Sequence, residues 1–377
     1  MRRNSTVTRT SRATRIIRKA AIGGAVAITA LSAASVAGAA STKVTVGAPP
    51  SSATTLAETG SSLLYPLWNL WQPAYSHAYP TVTISTASTG SGAGIAQTLA
   101  GTANIGASDA YLSPAQIAAD KNALNIPLAI SSQFIATNVT GVKNVKLTGK
   151  VISAIYQGKI TTWNNSAIAK LNKGVTLPSI PIVTIHRSDG SGDTFLFSSF
   201  LTATDPSGWG AKIPIGTTVP WPNVTGALAE TGNSGMLAGC AATPGCIAYI
   251  GVSYLQKAEA DHLGESFLQN KAGQYVQPTP ATVAAAASSF TAKTPANGVI
   301  AMINSSAKGA YPIVNYEYAI VLDNQTSSAT AQAIRSVLEW AISPVDGSDP
   351  AFLNAVNFEA LPAKVVAQSI KQIKKIQ

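Results

Sequence analysis

The chain has 377 residues, 46% of them apolar and only 11% charged. That balance excludes a disordered or coiled-coil protein, and the length leaves room for two domains with well-filled cores. The formal charge of +10 would suit a nucleic-acid partner, but its distribution argues against one: Arg2, Arg3, Arg9, Arg12, Arg15, Arg18 and Lys19 carry seven of the positive charges, and no acidic residue precedes Glu58.

Behind those basic residues comes "AAIGGAVAITALSAASVAGAA", a weakly apolar run ending in Ala37-Gly38-Ala39. A basic head, an apolar middle and a small-residue cleavage site read as a secretory signal peptide over residues 1–39. Its removal would leave a net charge of only +3. The protein is therefore expected to be exported, to the periplasm or the outer face of the cell membrane or wall. No cysteine stands at the cleavage region, so lipid attachment there is not expected. Residues 40–54, with a Pro-Pro step among polar residues, read as a flexible leader.

Three units of one grammar follow, each a β-branched or apolar strand, a Gly/Ser turn and an amphipathic helix. The first is "TTLAETGSSLLYPLWNLW", turning at Gly60-Ser61-Ser62. The second is "TVTISTASTGSGAGIAQTLAG", turning at Gly90-Ser91-Gly92. The third is "IPIVTIHRSDGSGDTFLFSSFLT", turning at residues 188–193. Further helices are predicted in "LTGKVISAIYQGK", "AKLNKG", "ATAQAIRSVLEWAIS" and "PAKVVAQSIKQIKKI", and long strands in "PLAISSQFIATNV" and "YPIVNYEYAIVLD". Strands alternating with helices predict an α/β protein with mostly parallel sheets. The only cysteines, Cys240 and Cys246, flank a Pro-Gly turn in "GCAATPGC". In an exported protein they read as a local disulfide, since two cysteines alone make no metal site. The six tryptophans read as packing residues.

The first turn of a helix leaves N–H groups without intrahelical partners and carries partial positive charge. One Gly/Ser turn is weak evidence, but three, each after a strand, point to a shared oxyanion site. Other readings of "HRSDGSGDT" fail on spacing. A dinucleotide loop lacks its third glycine, and a P-loop lacks its Gly-Lys-Ser/Thr. A calcium loop would need a glycine where Thr194 stands and a late Glu where Phe200 stands. A hydrolase elbow would need glycines where Asp189 and Asp193 flank Ser191. His186 is too close in sequence to Ser191 for good triad geometry. No metal or cofactor is expected.

The stretches "TGSSLLYPLWNLW", "STGSGAGIAQ", "NIGASDAYLS", "GKITTWNNSAIAKLN", "HRSDGSGDTFLF", "GNSGMLAGCAATPGC", "KTPANGVIAMI" and "YPIVNYEYAIV" run in one order over nearly all of the exported part. They resemble the Pst-type phosphate-binding proteins of bacterial phosphate ABC transporters, with most similarity to the actinobacterial, mycobacterial-type branch. The resemblance implies a two-lobed type II periplasmic-binding-protein fold with a ligand cleft between the lobes. Lobe one would span residues 55–134 and 311–377, and lobe two 135–310, with the two long strands as crossovers. It implies capture of inorganic phosphate and delivery to the transmembrane subunits of an ABC permease, by a monomer and without catalysis. Two other readings stay open: an exported phosphoester hydrolase using Ser191 or Asp193, and the same fold binding another oxyanion such as sulfate.

Carried over by the same resemblance, the phosphate shell comprises Ser62 and the N–H of Leu63, Ser91, Asp109, Arg187, Ser191, Gly192 and Asp193. Asp189 would orient Arg187, although it could also be a plain loop residue. Carboxylates suit such a site because phosphate near neutral pH still carries a proton, which a carboxylate accepts, whereas sulfate carries none. Arg187 offers planar donors to the oxyanion. Asp109 has a structural alternative as the cap of the helix in "YLSPAQIAAD". Asp193 would accept a second phosphate proton or serve as a helix cap.

Overall fold

The computed structural model describes residues 43–377, so the expected signal peptide lies outside the described residues. Strand β1 (Thr54–Gly60) leads through the first Gly/Ser turn to α1 (Tyr65–Ala78), β2 (Val82–Ser88), α2 (Ser91–Leu99), β3 (Ile105–Ser108) and α3 (Pro114–Ala119). Helix α1 buries Leu67, Trp68, Trp71 and Tyr75, a three-and-four spacing that puts one apolar face on the sheet. Ser113 begins α3 in a capping box with Gln116. The cap of α3 is therefore Ser113, which removes that alternative for Asp109.

The 15-residue β4 (Ala123–Thr137) is buried throughout. After it come β5 (Val183–Arg187), α4 (Gly192–Thr204), β6 (Leu228–Glu230), α5 (Gly232–Ala242), β7 (Cys246–Gly251), β8 (Ile313–Leu322), α6 (Ser328–Ala341) and α7 (Ala363–Ile373). These strands form one sheet in the order β2-β1-β3-β8-β4-β7-β5-β6. Its flanks are parallel: β1 with β2 and β3, and β5 with β6 and β7. The centre is antiparallel, β8 against both β3 and β4, and β4 against β7. The sheet is thus mixed, where strand–helix alternation had predicted a mostly parallel one. The reason is that β4 and β8 are not consecutive in a βαβ unit; the whole β5–β7 group lies between them in the chain.

The register of β4 changes partner along its length. Ala123–Ser132 pairs with β8, and Gln133–Thr137 with β7. One strand therefore belongs to both groups, and the loops after β1, β2, β3 and β5 open toward the region where the groups meet.

The segment read as a flexible leader is held in part. Gly47 N donates to Glu339 Oε2 at 2.7 Å, Ser336 Oγ donates to Gly47 O at 2.9 Å, and Val44 is buried. Backbone bonds to α6 outweigh its polar, proline-containing composition. Cys240 and Cys246 form a disulfide with Cα atoms 5.4 Å apart, tying the end of α5 to the start of β7. Trp68, Trp71, Trp163 and Trp209 are fully buried, and Trp221 stacks on His186 with ring centroids 4.7 Å apart.

Candidate functional site

Each expected turn delivers polar groups to one buried cluster. After β1, Ser61 Oγ accepts the N–H groups of Leu63 (3.1 Å) and Leu64 (2.9 Å), which fixes the start of α1, and it donates to Asp109 Oδ1. After β2, Ser91 Oγ donates to Asp109 Oδ2 and accepts the Asp109 N–H, both at 3.2 Å. After β5, Ser191 caps α4 by accepting Thr194 N–H at 3.3 Å. The N–H groups of Ser91, Gly192 and Asp193 stand in the first turns of α2 and α4, ahead of any intrahelical acceptor.

Two close approaches need glycine. Gly92 N donates to Gly190 O at 2.8 Å, so the second and third turns touch backbone to backbone, and a Cβ on Gly92 would lie 3.0 Å from Gly190 Cα. A Cβ on Gly192 would come within 2.6 Å of both Ser91 Oγ and Asp109 Cβ. That spacing is below any real contact, so Gly192 is what lets α4 start against Ser91 and Asp109.

Arg187 is 3% exposed. Its Nε donates to Asp189 Oδ1 at 2.6 Å, Nη2 pairs with Asp189 Oδ2, and Nη1 lies 3.1 Å from Asp193 Oδ2. Burial alone would raise the Asp189 carboxyl, but the hydrogen bonds and charge of Arg187, with the Gly232 N–H, hold it below the usual carboxylate range. Asp189 is thus an ionised brace for the guanidinium. Asp193 is fully buried; burial and the neighbouring Asp109 charge push it up to about 7, against the pull of Arg187, Gln133 and Asn233. Burial pushes Asp109 well above the carboxylate range, and the charge of Glu317 adds to it, while Ser61 and Arg187 oppose. Asp109 and Asp193 therefore both take up a proton more readily than an exposed carboxylate does.

The structure brings Ser62, Leu63, Ser91, Asp109, Arg187, Ser191, Gly192, Asp193 and the bracing Asp189 into this region. It reassigns some roles. The Leu63 N–H is taken by Ser61, and Ser62 Oγ accepts both N–H and Nδ2 of Asn233 at 3.0 Å. The N-cap of α4 is Ser191, so Asp193 does not serve as that cap; it sits within the first turn and its carboxylate faces Arg187, Gln133 and Asn233.

Four residues were not anticipated. Ser61 differs from its neighbour Ser62 by nothing in the sequence pattern. Asn233 stands in the first turn of α5, and the step from β6 through Thr231 into Gly232-Asn233-Ser234 repeats the strand–Gly/Ser–helix grammar, a signal that could have found it. Gln133, whose Nε2 reaches Asp193 O (2.9 Å) and Oδ1 (3.1 Å), and Glu317 sit mid-strand, where no local motif marks them.

Two strand groups sharing a long strand, with helix N-termini meeting between them, define a protein of the periplasmic-binding type. A PBP superfamily domain matches residues 45–345. The phosphate-binding protein PstS of Xylella fastidiosa is 32% identical over 327 residues, covering 85% of this chain and 86% of that protein. The phosphate-binding protein PstS3 of Mycobacterium bovis is 30% identical over 298 residues, 76% of this chain and 78% of its own. Among solved structures, a high-affinity periplasmic phosphate-binding protein (PfluDING) bound with phosphate matches with a TM-score of 0.68 at 20% identity, over 84% of this chain and 92% of that one. This chain belongs to the PBP superfamily, among its PstS phosphate-binding proteins.

Proposed function

We propose that this protein is exported, captures inorganic phosphate between two lobes and releases it to the transmembrane subunits of an ABC permease. Lobe one would comprise residues 55–134 and 311–377, and lobe two 135–310. The observation that carries this reading is the pairing of Asp109 and Asp193, two buried carboxyl groups with raised proton affinity, beside one braced guanidinium and the first turns of α2 and α4. Arg187 and the helix N-terminal N–H groups supply the attraction for an oxyanion. The carboxyl groups supply discrimination, because an anion that brings a proton gives each of them a hydrogen bond, and one that brings none meets only charge.

The phosphate shell in this reading is Ser62, Ser91, Asp109, Arg187, Ser191, Gly192 and Asp193, with Leu63 lining it. Direct bonds between the turns, Gly92 N to Gly190 O and Asn233 to Ser62, fit a cleft that closes over its ligand and excludes water. Binding without chemistry is favoured over hydrolysis by two details. Ser191 Oγ is committed to the Thr194 N–H, and His186 packs on Trp221 with Nδ1 3.2 Å from Arg187 O. Export rests on the N-terminal residues; among the described residues no helix is long and apolar enough to cross a membrane.

Titration calorimetry with phosphate, arsenate and sulfate tests the reading. Stoichiometric phosphate and arsenate binding without turnover of a chromogenic phosphate ester is expected, with sulfate far weaker. Sulfate binding as tight as phosphate would remove the role given to the carboxyl groups, and ester turnover would restore the hydrolase.

A further inference from the structure

Glu317 enters the cluster by strand register. β8 runs antiparallel to β3 with Ile320 opposite Gly106, Ala319 opposite Ala107 and Tyr318 opposite Ser108. Asp109 follows directly on Ser108 at the end of β3, Glu317 precedes Tyr318 on β8, and Asn315 Nδ2 lies 3.5 Å from Asp109 O, so the end of the ladder brings the two acids together. Glu317 is 0% exposed, and its carboxyl group lies within hydrogen-bonding reach of that of Asp109. Its Oε1 receives Ser131 Oγ and, at 2.9 Å, Asn315 Nδ2. Its Oε2 has no donor among the described residues. Two like charges in buried contact are unfavourable, and so is a carboxyl oxygen without a donor. One proton between the two groups relieves both.

The charged groups around Glu317 are few. Asp109 faces it from the end of β3, Asp193 from α4, and Arg187 stands beyond them on β5; Tyr318 follows it on its own strand. Its neighbours Ser131 on β4 and Asn315 on β8 are neutral. No cation touches Glu317 directly among the described residues.

We propose that Glu317 is a specificity-determining partner of Asp109: the two carboxyl groups share one proton, and a phosphate O–H donated to Asp109 leaves that shared proton on Glu317. The inference rests on the phosphate reading above and deepens it. With the proton held on Glu317, Asp109 meets the ligand as a singly charged acceptor, able to tell a protonated oxyanion from sulfate. With both groups ionised, two negative charges would stand against the bound anion. Burial raises both groups, Glu317 to about 7. The hydrogen bond between them raises Asp109 and lowers Glu317, so without ligand the shared proton rests on Asp109, and a phosphate O–H arriving there is what moves it to Glu317.

The test is the pH dependence of phosphate affinity in the full protein and in Glu317→Gln. The glutamine amide can accept from Ser131 and Asn315 on its oxygen and donate to Asp109 from its nitrogen, copying the protonated state without titrating. Comparing the two proteins cancels the titration of phosphate itself. The ratio of wild-type to variant affinity is expected to fall roughly tenfold from about pH 6 to about pH 8. A constant ratio would assign Glu317 a merely structural role and overturn the inference. If Glu317→Gln does not fold, Ser131→Ala serves in its place: loss of a donor to the ionised carboxylate should move the falling limb to higher pH, and an unmoved limb overturns the inference. Wild-type protein that binds no phosphate at any pH would overturn the functional reading and this inference with it.

Discussion

Asn233 donates its side-chain N–H to Asp193 Oδ2 at 2.6 Å. The same nitrogen lies 3.0 Å from Ser62 Oγ, and Asn233 Oδ1 accepts the Gly251 N–H at 2.8 Å. One fully buried amide thus connects the turn before α1, the first turns of α4 and α5 and the end of β7. In Asn233→Ala, Asp193 loses a donor, and Ser62 is freed from one of the two Asn233 groups that hold it. Losing a buried bond to a carboxylate costs about 1.5–3 kcal/mol, so phosphate affinity should weaken by roughly 10- to 100-fold. Asn233→Asp should be weaker still, because it sets a second carboxylate beside Asp193. Calorimetric titration at one pH checks both; wild-type affinity in Asn233→Ala would separate this amide from ligand binding.

Asp109 and Arg187 should fail in different ways. Asp109→Asn replaces an acceptor with a group that can also donate, so sulfate should bind better while phosphate binds less well, and the preference should shrink. Arg187→Ala removes the buried guanidinium and leaves Asp189 and Asp193 without their counter-charge, so both anions should bind far more weakly. Competition titrations with phosphate and sulfate read both ratios, and unchanged selectivity in Asp109→Asn would contradict the assigned role.

How much of this was legible in the sequence follows from what is local. The turns at Ser62, Ser91 and residues 188–193 announce themselves because glycine, serine and a strand boundary fall within a few residues, and the Arg187–Asp189 pair is two positions apart. The choice between Ser61 and Ser62 was not legible, since backbone direction at the end of β1 decides which hydroxyl meets Asp109. Gln133 and Glu317 were invisible for a different reason. Each sits in an unbroken buried strand, and only the pairing of β4 with β7, or of β8 with β3, carries it to the cluster. The antiparallel centre of the sheet was missed for the same cause, because strand direction is set by partners more than a hundred residues away. The disulfide needed only its own seven residues.

The Cys240–Cys246 bond should matter for stability and little for binding. It closes a short loop between α5 and β7, so its removal in a Cys240→Ser/Cys246→Ser protein should cost about 2 kcal/mol in the chain-entropy account. Asn138 Nδ2 still holds the end of α5 through Cys240 O (3.0 Å) and Ala241 O (3.1 Å), which should keep Asn233 in place. A lowered melting temperature with phosphate affinity within about twofold of wild type is expected, as about 0.4 kcal/mol separates those affinities. Loss of binding in the double variant would show that the bond also sets the position of α5.

Glu58 gives the fold a pH dependence away from the cluster. It lies on β1 opposite Thr86 of β2, is 2% exposed, and accepts the Thr86 hydroxyl. Burial pushes its carboxyl up from 4.5 to about 8, opposed only in part by the hydrogen bonds of Thr86 and Ala87. Unfolding therefore releases a proton across that interval, so the stability Glu58 contributes is whole below about pH 4.5 and is lost as pH rises through about 8. Glu58→Gln keeps an acceptor for Thr86 and cannot ionise. The variant should match wild type at acid pH and exceed it at alkaline pH, by an amount on the order of a few kcal/mol. Urea unfolding of both proteins at several pH values measures the gap. A gap that does not widen with pH would place the Glu58 ionisation in the ordinary carboxylate range.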